Sequence, residues 1–121
     1  MAAPKQERLL AALPHRLQAL AVDLSSEGSF EYAFPVANCD EVFEALVASG
    51  FVPTGGDLWE PLSDGFGSTG EGWYFQRDEG SSAAETLTLA RRRWDAFRMT
   101  LLDGDVRYVT FMGSFPENEV R

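Results

Sequence analysis

The chain has 121 residues, 45% apolar and 12% aromatic, and its 19 acidic and 10 basic side chains give a formal net charge of −9. That length supports one domain with its own core, and that composition excludes a disordered chain. The sign of the charge argues against direct binding to nucleic acid or to an anionic membrane surface, both of which call for clustered Lys and Arg.

Leu9, Leu10, Leu13, Leu17 and Leu20 recur at helical spacing, and Pro14 interrupts them. Residues 5–22 therefore read as two short helices or one kinked helix, with Pro14 tolerated at a helix start. His15, the single histidine, falls on the polar side. Over 29–34, Phe30, Tyr32 and Phe34 alternate with Ser29, Glu31 and Ala33, which predicts a half-buried strand ended by Pro35. Asn38 is placed to cap the next helix, with Glu41 reaching back to it. Cys39, Val42, Phe43, Leu46 and Val47 form the apolar stripe of that helix, over 39–49. Gly50 suits its left-handed close.

Pro53-Thr54-Gly55-Gly56 reads as a turn and 57–62 as a short strand. Residues 63–72 hold four glycines and read as a flexible loop. Residues 73–76 read as a second strand. Ser82 with Glu85 makes a capping box for the longest helix. Ala83, Leu87, Ala90, Trp94, Phe97 and Leu101 then mark a sustained apolar seam. Asp103-Gly104-Asp105 is a turn, 106–112 is the last strand, and the tail after Gly113 reads as polar and loose. With no repeat and no linker, the chain is one α+β domain. The expected architecture is a small, mostly antiparallel sheet packed against two or three helices.

The single cysteine, Cys39, forbids an intrachain disulfide and fits a buried thiol acting as a small hydrophobe. One Cys and one His cannot build a His/Cys zinc site, and no cofactor is expected. No apolar run approaches a membrane span, and the N-terminus is a poor signal peptide, so the cytoplasm is the expected location.

The placement of the charge says more than its total. Residues 17–76 contain no Lys or Arg, yet they hold Asp23, Glu27, Glu31, Asp40, Glu41, Glu44, Asp57, Glu60, Asp64 and Glu71. Folded surfaces normally mix signs, so an unbroken acidic stretch suggests a basic partner. Gly65, Gly67 and Gly70 match the spacing of a dinucleotide-binding loop, but no helix follows to hold a pyrophosphate. Asp57, Glu60, Asp64 and Glu71 admit three readings: a solvated acidic loop, contact with a cationic partner, or a paired acid/base or hard-metal site. No nearby Lys, Arg or His supports the last. Trp59, Trp73 and Tyr74 flank the same loop. Core burial is the default for such strand residues, but Trp and Tyr also anchor interfaces. Alternation puts one of Trp73 and Tyr74 inside and the other outside.

The run EYAF at 31–34, the helix NCDEVFEALVASG at 38–50, FVPTGGDLW at 51–59 and GWYFQR at 72–77 before a long helix resemble the immunity protein 40 family of bacterial polymorphic toxin systems. The matching residues are Gly55, Gly56, Asp57, Trp59, Trp73 and Tyr74, and the resemblance spans about residues 30–112. Where that family has a polar side chain directly before the Trp, this chain has Gly72 with Glu71 ahead of it. The resemblance implies a non-enzymatic protein that binds and neutralises a cognate toxin made by the same cell. A basic toxin such as a nuclease would suit the acidic surface. The expected partner-binding residues are Asp57, Trp59, Asp64, Glu71, Trp73 and Tyr74. Two rivals remain: an acidic nucleic-acid mimic blocking a DNA-binding enzyme, and a small carboxylate-based enzyme. The second requires a concave pocket where two carboxylates converge.

Overall fold

The structure is a computed structural model in which residues 2–76 and 82–116 are described. Among them four α-helices run over Pro4–Ala11 (α1), His15–Gln18 (α2), Cys39–Ala48 (α3) and Ala83–Arg98 (α4). Six strands run over Val22–Asp23 (β1), Tyr32–Pro35 (β2), Val52–Leu62 (β3), Gly65–Tyr74 (β4), Tyr108–Thr110 (β5) and Met112–Ser114 (β6). All strand pairs are antiparallel. The sheet order is β1-β2-β5-β3-β4, and β6 also pairs with β3. The fold is α+β, as expected.

The helices cover one face of the sheet. Leu9, Leu17, Phe43, Leu46, Trp94 and Phe97 meet Phe34, Leu58, Trp73, Val109 and Phe111 there. Trp94 is central to this core. Its ring stacks on Phe43 at 5.0 Å and meets Trp73 edge-on at 5.8 Å, with Phe111 at 5.4 Å. Side chains alternate along a strand, so Trp59 faces away from the helices while its neighbour Leu58 faces them. Trp59 joins Leu24 and Ala33 in a small cluster on the other face, edged by Val22, Phe66 and Tyr108.

The Leu-rich start forms two short helices with Pro14 just before the second, and His15 is exposed. Helix α3 ends as read. Gly50 has φ of +97°, its N–H reaches the Val47 carbonyl, and the Phe51 N–H reaches that of Leu46. This pair of bonds is the Schellman closure, and it needs a residue free to adopt positive φ. The capping box on α4 forms with both bonds at 3.1 Å.

Other expectations are corrected. The strand expected over 29–34 begins only at Tyr32, and Phe30 is 59% exposed. The preceding residues are claimed by α1: Ala3 donates to the Phe30 carbonyl, and Gln6 accepts the Tyr32 N–H at 3.0 Å. Asn38 makes no side-chain cap. The chain enters α3 through a 3-10 turn that leaves Asn38 at φ −114° and ψ 4°, not the extended conformation a cap requires. Its supposed box partner Glu41 pairs with Arg16.

The turn expected at 53–56 lies inside β3, and the loop expected over 63–72 is mostly strand β4. Only Ser63 and Asp64 lie between the last paired residues, Leu62 and Gly65. Pairing with β3 overrides the poor strand propensity of this glycine-rich run. The ladder bulges where Asp57 faces Gly72 but Trp59 faces Ser68. There Thr69 Oγ1 donates to the Leu58 carbonyl at 3.0 Å. The last strand is split into β5 and β6. The tail is not loose as far as Phe115, which is buried and meets Phe51 edge-on at 5.1 Å. Residues 117–121 lie outside the described residues.

Gly56 has a packing role. A Cβ built on it would sit 2.0 Å from the Thr110 carbonyl oxygen. That contact is with backbone, so no side-chain rotation relieves it. Gly56→Ala is expected to destabilise the protein by about 3 kcal/mol or to prevent folding, measured by chemical denaturation. Near-unchanged stability would show that β5 can move away from β3 at little cost.

Candidate functional site

The six residues singled out by sequence all lie on the β3–β4 hairpin, but they do not share one surface. Trp73 is 8% exposed and packs into the helix-side core. Trp59 is 9% exposed and is covered on the other face by Leu24, Ala33 and neighbouring rings. Neither offers a free ring to a partner. Both indole Nε1 atoms are buried without a hydrogen-bond partner. Tyr74 is 65% exposed, so alternation resolves the Trp73–Tyr74 pair as expected. Asp57 is half-buried opposite Gly72, and its N–H donates to Thr110 Oγ1 at 2.9 Å. Asp64 is exposed at the hairpin turn. Glu71 is exposed beside the bulge, with an oxygen 3.7 Å from the Arg107 guanidinium.

The hairpin divides into two parts. The last residues of β3 to pair with β5 are Leu58 and Trp59. Beyond these, 60–67 pair only across the hairpin and form a two-stranded arm. Phe66 ties the base of the arm down: its ring meets Tyr108 edge-on at 5.1 Å, and its N–H donates to Glu27 at 3.3 Å. The tip carries exposed Glu60, Leu62 and Asp64. Nearer the sheet, β4 is an outer strand, and a groove of about 390 Å³ runs beside it. Gly72, Trp73 and Tyr74 form one wall; Arg93, Ala96, Phe97 and Thr100 of the α4 side form the other.

Sequence reasoning passed over Leu62, which is 51% exposed, and the exposed trio Met99, Leu102 and Val106 that follows α4. Alternation could have flagged Leu62, since the last residues of an arm have no sheet to bury them. The trio lies past the apolar seam, and no periodicity marks it.

The acidic stretch is partly neutralised within the chain. On α3, Glu41 pairs with Arg16 of α2. Glu44 takes a two-pronged contact from Arg91 of α4, at 2.7 and 3.1 Å. Asp40 accepts from Arg98 at 3.0 Å and from Trp94 Nε1 at 3.2 Å. On the hairpin, Arg107 serves Glu71 but is held chiefly by Asp105, at 2.7 Å. Glu60 and Asp64 make no ion pair with a described residue. Asp23, Glu27, Glu31 and Asp57 likewise make no ion pair with a described residue, so the arm shares the unmatched acidic charge with them.

Glu31 and Asp57 are near enough on the uncovered face to feel each other's charge. Burial pushes the Glu31 carboxyl above its ordinary value. The Ser29 hydroxyl, donating at 3.0 Å, opposes this, and the Asp57 charge adds to it. Neither carboxylate lines the β4 groove, the hollow between α3, α4 and Val52 or the hollow around 102–107. Burial likewise raises the Cys39 thiol to about 11, as befits an inert core residue. Among the described residues no group of three or more His, Cys, Asp or Glu is placed to hold a metal ion. No helix there is long and apolar enough to cross a membrane.

No family model, no curated protein and no solved structure matches this chain.

Two outcomes follow from this geometry. Glu31 has a raised folded value, so its stabilising contribution is full below its ordinary value and is lost as pH rises through the folded one. Glu31→Gln is therefore expected to raise the melting temperature at pH 7 and to leave it unchanged below about pH 4. An equal shift at both pH values would contradict the assigned cause. The two tryptophans should also differ. Trp94→Phe loses the bond to Asp40, while Trp73→Phe loses no bond. The first should cost roughly 1 kcal/mol more in denaturant melts.

Proposed function

We propose that this chain is a toxin-neutralising immunity protein that acts by stoichiometric binding and not by catalysis. Its partner is a basic toxin domain, such as a nuclease, encoded beside it, and the binding takes place in the cytoplasm. The observation that carries this reading is the arm. Its strands at 60–62 and 65–67 pair with no other strand, and its carboxylates Glu60 and Asp64 make no ion pair with a described residue, with Glu71 close behind. Opposite charge placed this way speeds encounter and rejects wrong partners. Leu62 and Tyr74 supply exposed apolar surface at either end of the same hairpin.

The matched Gly-Gly-Asp and Trp-Tyr residues support the family resemblance, but their roles divide. Gly56, Trp59 and Trp73 hold β3 and β4 in place, and Asp57 lies half-buried between strands. Asp64, Glu71 and Tyr74 are the members left to meet a partner. The enzyme rival asks for converging carboxylates in a pocket, and the Glu31–Asp57 pair lines none of the three hollows.

The test uses the toxin domain encoded next to this gene, in a catalytically dead form. The triple variant Glu60→Ala, Asp64→Ala, Glu71→Ala should associate about tenfold more slowly at low salt, with the difference shrinking at high salt. An unchanged association rate in low salt would show that the arm does not steer the partner.

A further inference from the structure

We infer that the partner docks by adding an extended strand to the outer edge of β4 at residues 72–74. This deepens the binding reading above and rests on it. The hydrogen-bond direction fixes which groups are free. Phe75 donates its N–H inward to the Thr54 carbonyl, and the ladder places Trp73 opposite Gly56. In an antiparallel pair, residues with inward backbone groups alternate with residues whose groups point outward. Gly72 and Tyr74 therefore turn their N–H and C=O groups away from β3, and both residues are exposed.

This edge carries neither charge nor proline. Natural outer strands are protected by Lys, Pro, bulges or extreme shortness. The bulge here ends at Glu71, and 72–74, Gly-Trp-Tyr, contains no charge and no proline. The opposite edge, β1, is two residues long and offers no comparable template. The groove beside β4 lies where the inward-facing side chains of an added strand would go, over Ala96, Phe97 and Thr100.

Charge selects the occupant. Arg16, Arg91, Arg98 and Arg107 each have a carboxylate partner, whereas Arg93 at the groove makes no ion pair with a described residue. The added strand thus carries a small or acidic side chain over Phe97 facing Arg93. Its flanks are basic, to meet Glu71 and the arm. A second copy of this chain fits worse, because each copy carries −9.

Tyr74 gives a clean test. Its N–H is not used by the sheet, and proline is tolerated at outward-facing edge positions. Tyr74→Pro should keep the fold, checked by circular dichroism, and lower affinity for the inactive toxin domain by at least about tenfold. Tyr74→Phe keeps the N–H and should bind within about twofold of wild type. Arg93→Glu should weaken binding severalfold. If wild type binds and Tyr74→Pro binds equally, strand addition is wrong while the binding reading stands. If wild type does not bind, the binding reading falls and takes the occupant with it. Sedimentation of the chain alone guards a third outcome: a dimer abolished by Tyr74→Pro would make a second copy the occupant and overturn the proposal. Should Tyr74→Pro fail to fold, amide exchange of wild type decides. The Gly72 and Tyr74 amides should slow on toxin binding, and unchanged exchange sinks the idea.

Discussion

The architecture depends on how closely β5 approaches β3 at Gly56. The Thr110 carbonyl occupies the space where any other residue would carry its Cβ. That approach lets the C-terminal strands insert between β2 and β3, although β2 and β3 are the nearer pair in sequence. With β5 and β6 on one side of β3, the only place for β4 is the other side, at the border of the sheet. The outer edge, the groove against α4 and the arm beyond β5 all follow from that one steric allowance. The second glycine of Gly-Gly-Asp is thus a packing residue, and the motif marks the fold before it marks any partner.

Charge pairing explains a second feature of the chain. The acids of α3 and the arginines of α2 and α4 are far apart in sequence but adjacent in space. Glu41 meets Arg16, Glu44 meets Arg91, and Asp40 meets Arg98. Such exposed pairs add little stability each, about 0–1 kcal/mol. The Arg91 and Arg98 pairs join α4 to α3, beside the flat stacking of Trp94 on Phe43, and the Arg16 pair joins α2 to α3. A cation-free stretch of sixty residues is then matched inside the chain on α3, while its carboxylates at 23–31 and on most of the hairpin stay in excess.

Periodic elements were legible in the sequence, and long-range pairing was not. Helix α4 was readable because its seam and capping box are local signals. The close of α3 at Gly50 was readable because the Schellman turn involves only adjacent residues. The α+β class followed from those elements. Only the end of β4, at Trp73 and Tyr74, was read as strand; its 65–72 part was missed because the evidence lies on other strands, Gly72 being ordered by β3 and Phe66 by Tyr108. Cap chemistry at Asn38 failed for a related reason. A 3-10 turn and a distant Arg16 drew the groups elsewhere. Within the candidate site, the exposure of Tyr74 was legible from alternation alone. The burial of Trp59 was not, because its cover comes from Leu24 and Ala33, more than twenty residues earlier.

The fate of the aromatics constrains how this surface can bind. Interfaces commonly gain affinity by sinking Trp or Tyr into a partner's pocket. Here Trp59, Trp73 and Trp94 are all spent on the two faces of the sheet, and exposing any of them would dismantle the element that carries the site. What the hairpin has left is one exposed tyrosine, a short apolar tip, a row of outward backbone groups and unmatched carboxylates. Backbone groups give affinity without reading side chains, while carboxylates steer and discriminate. In such a division of labour, specificity is carried by residues that can change without touching the core. The arm beyond Trp59 is where that freedom exists at Glu60, Leu62 and Asp64, because 60–67 pair with no other strand and Phe66 alone is tied to Glu27 and Tyr108.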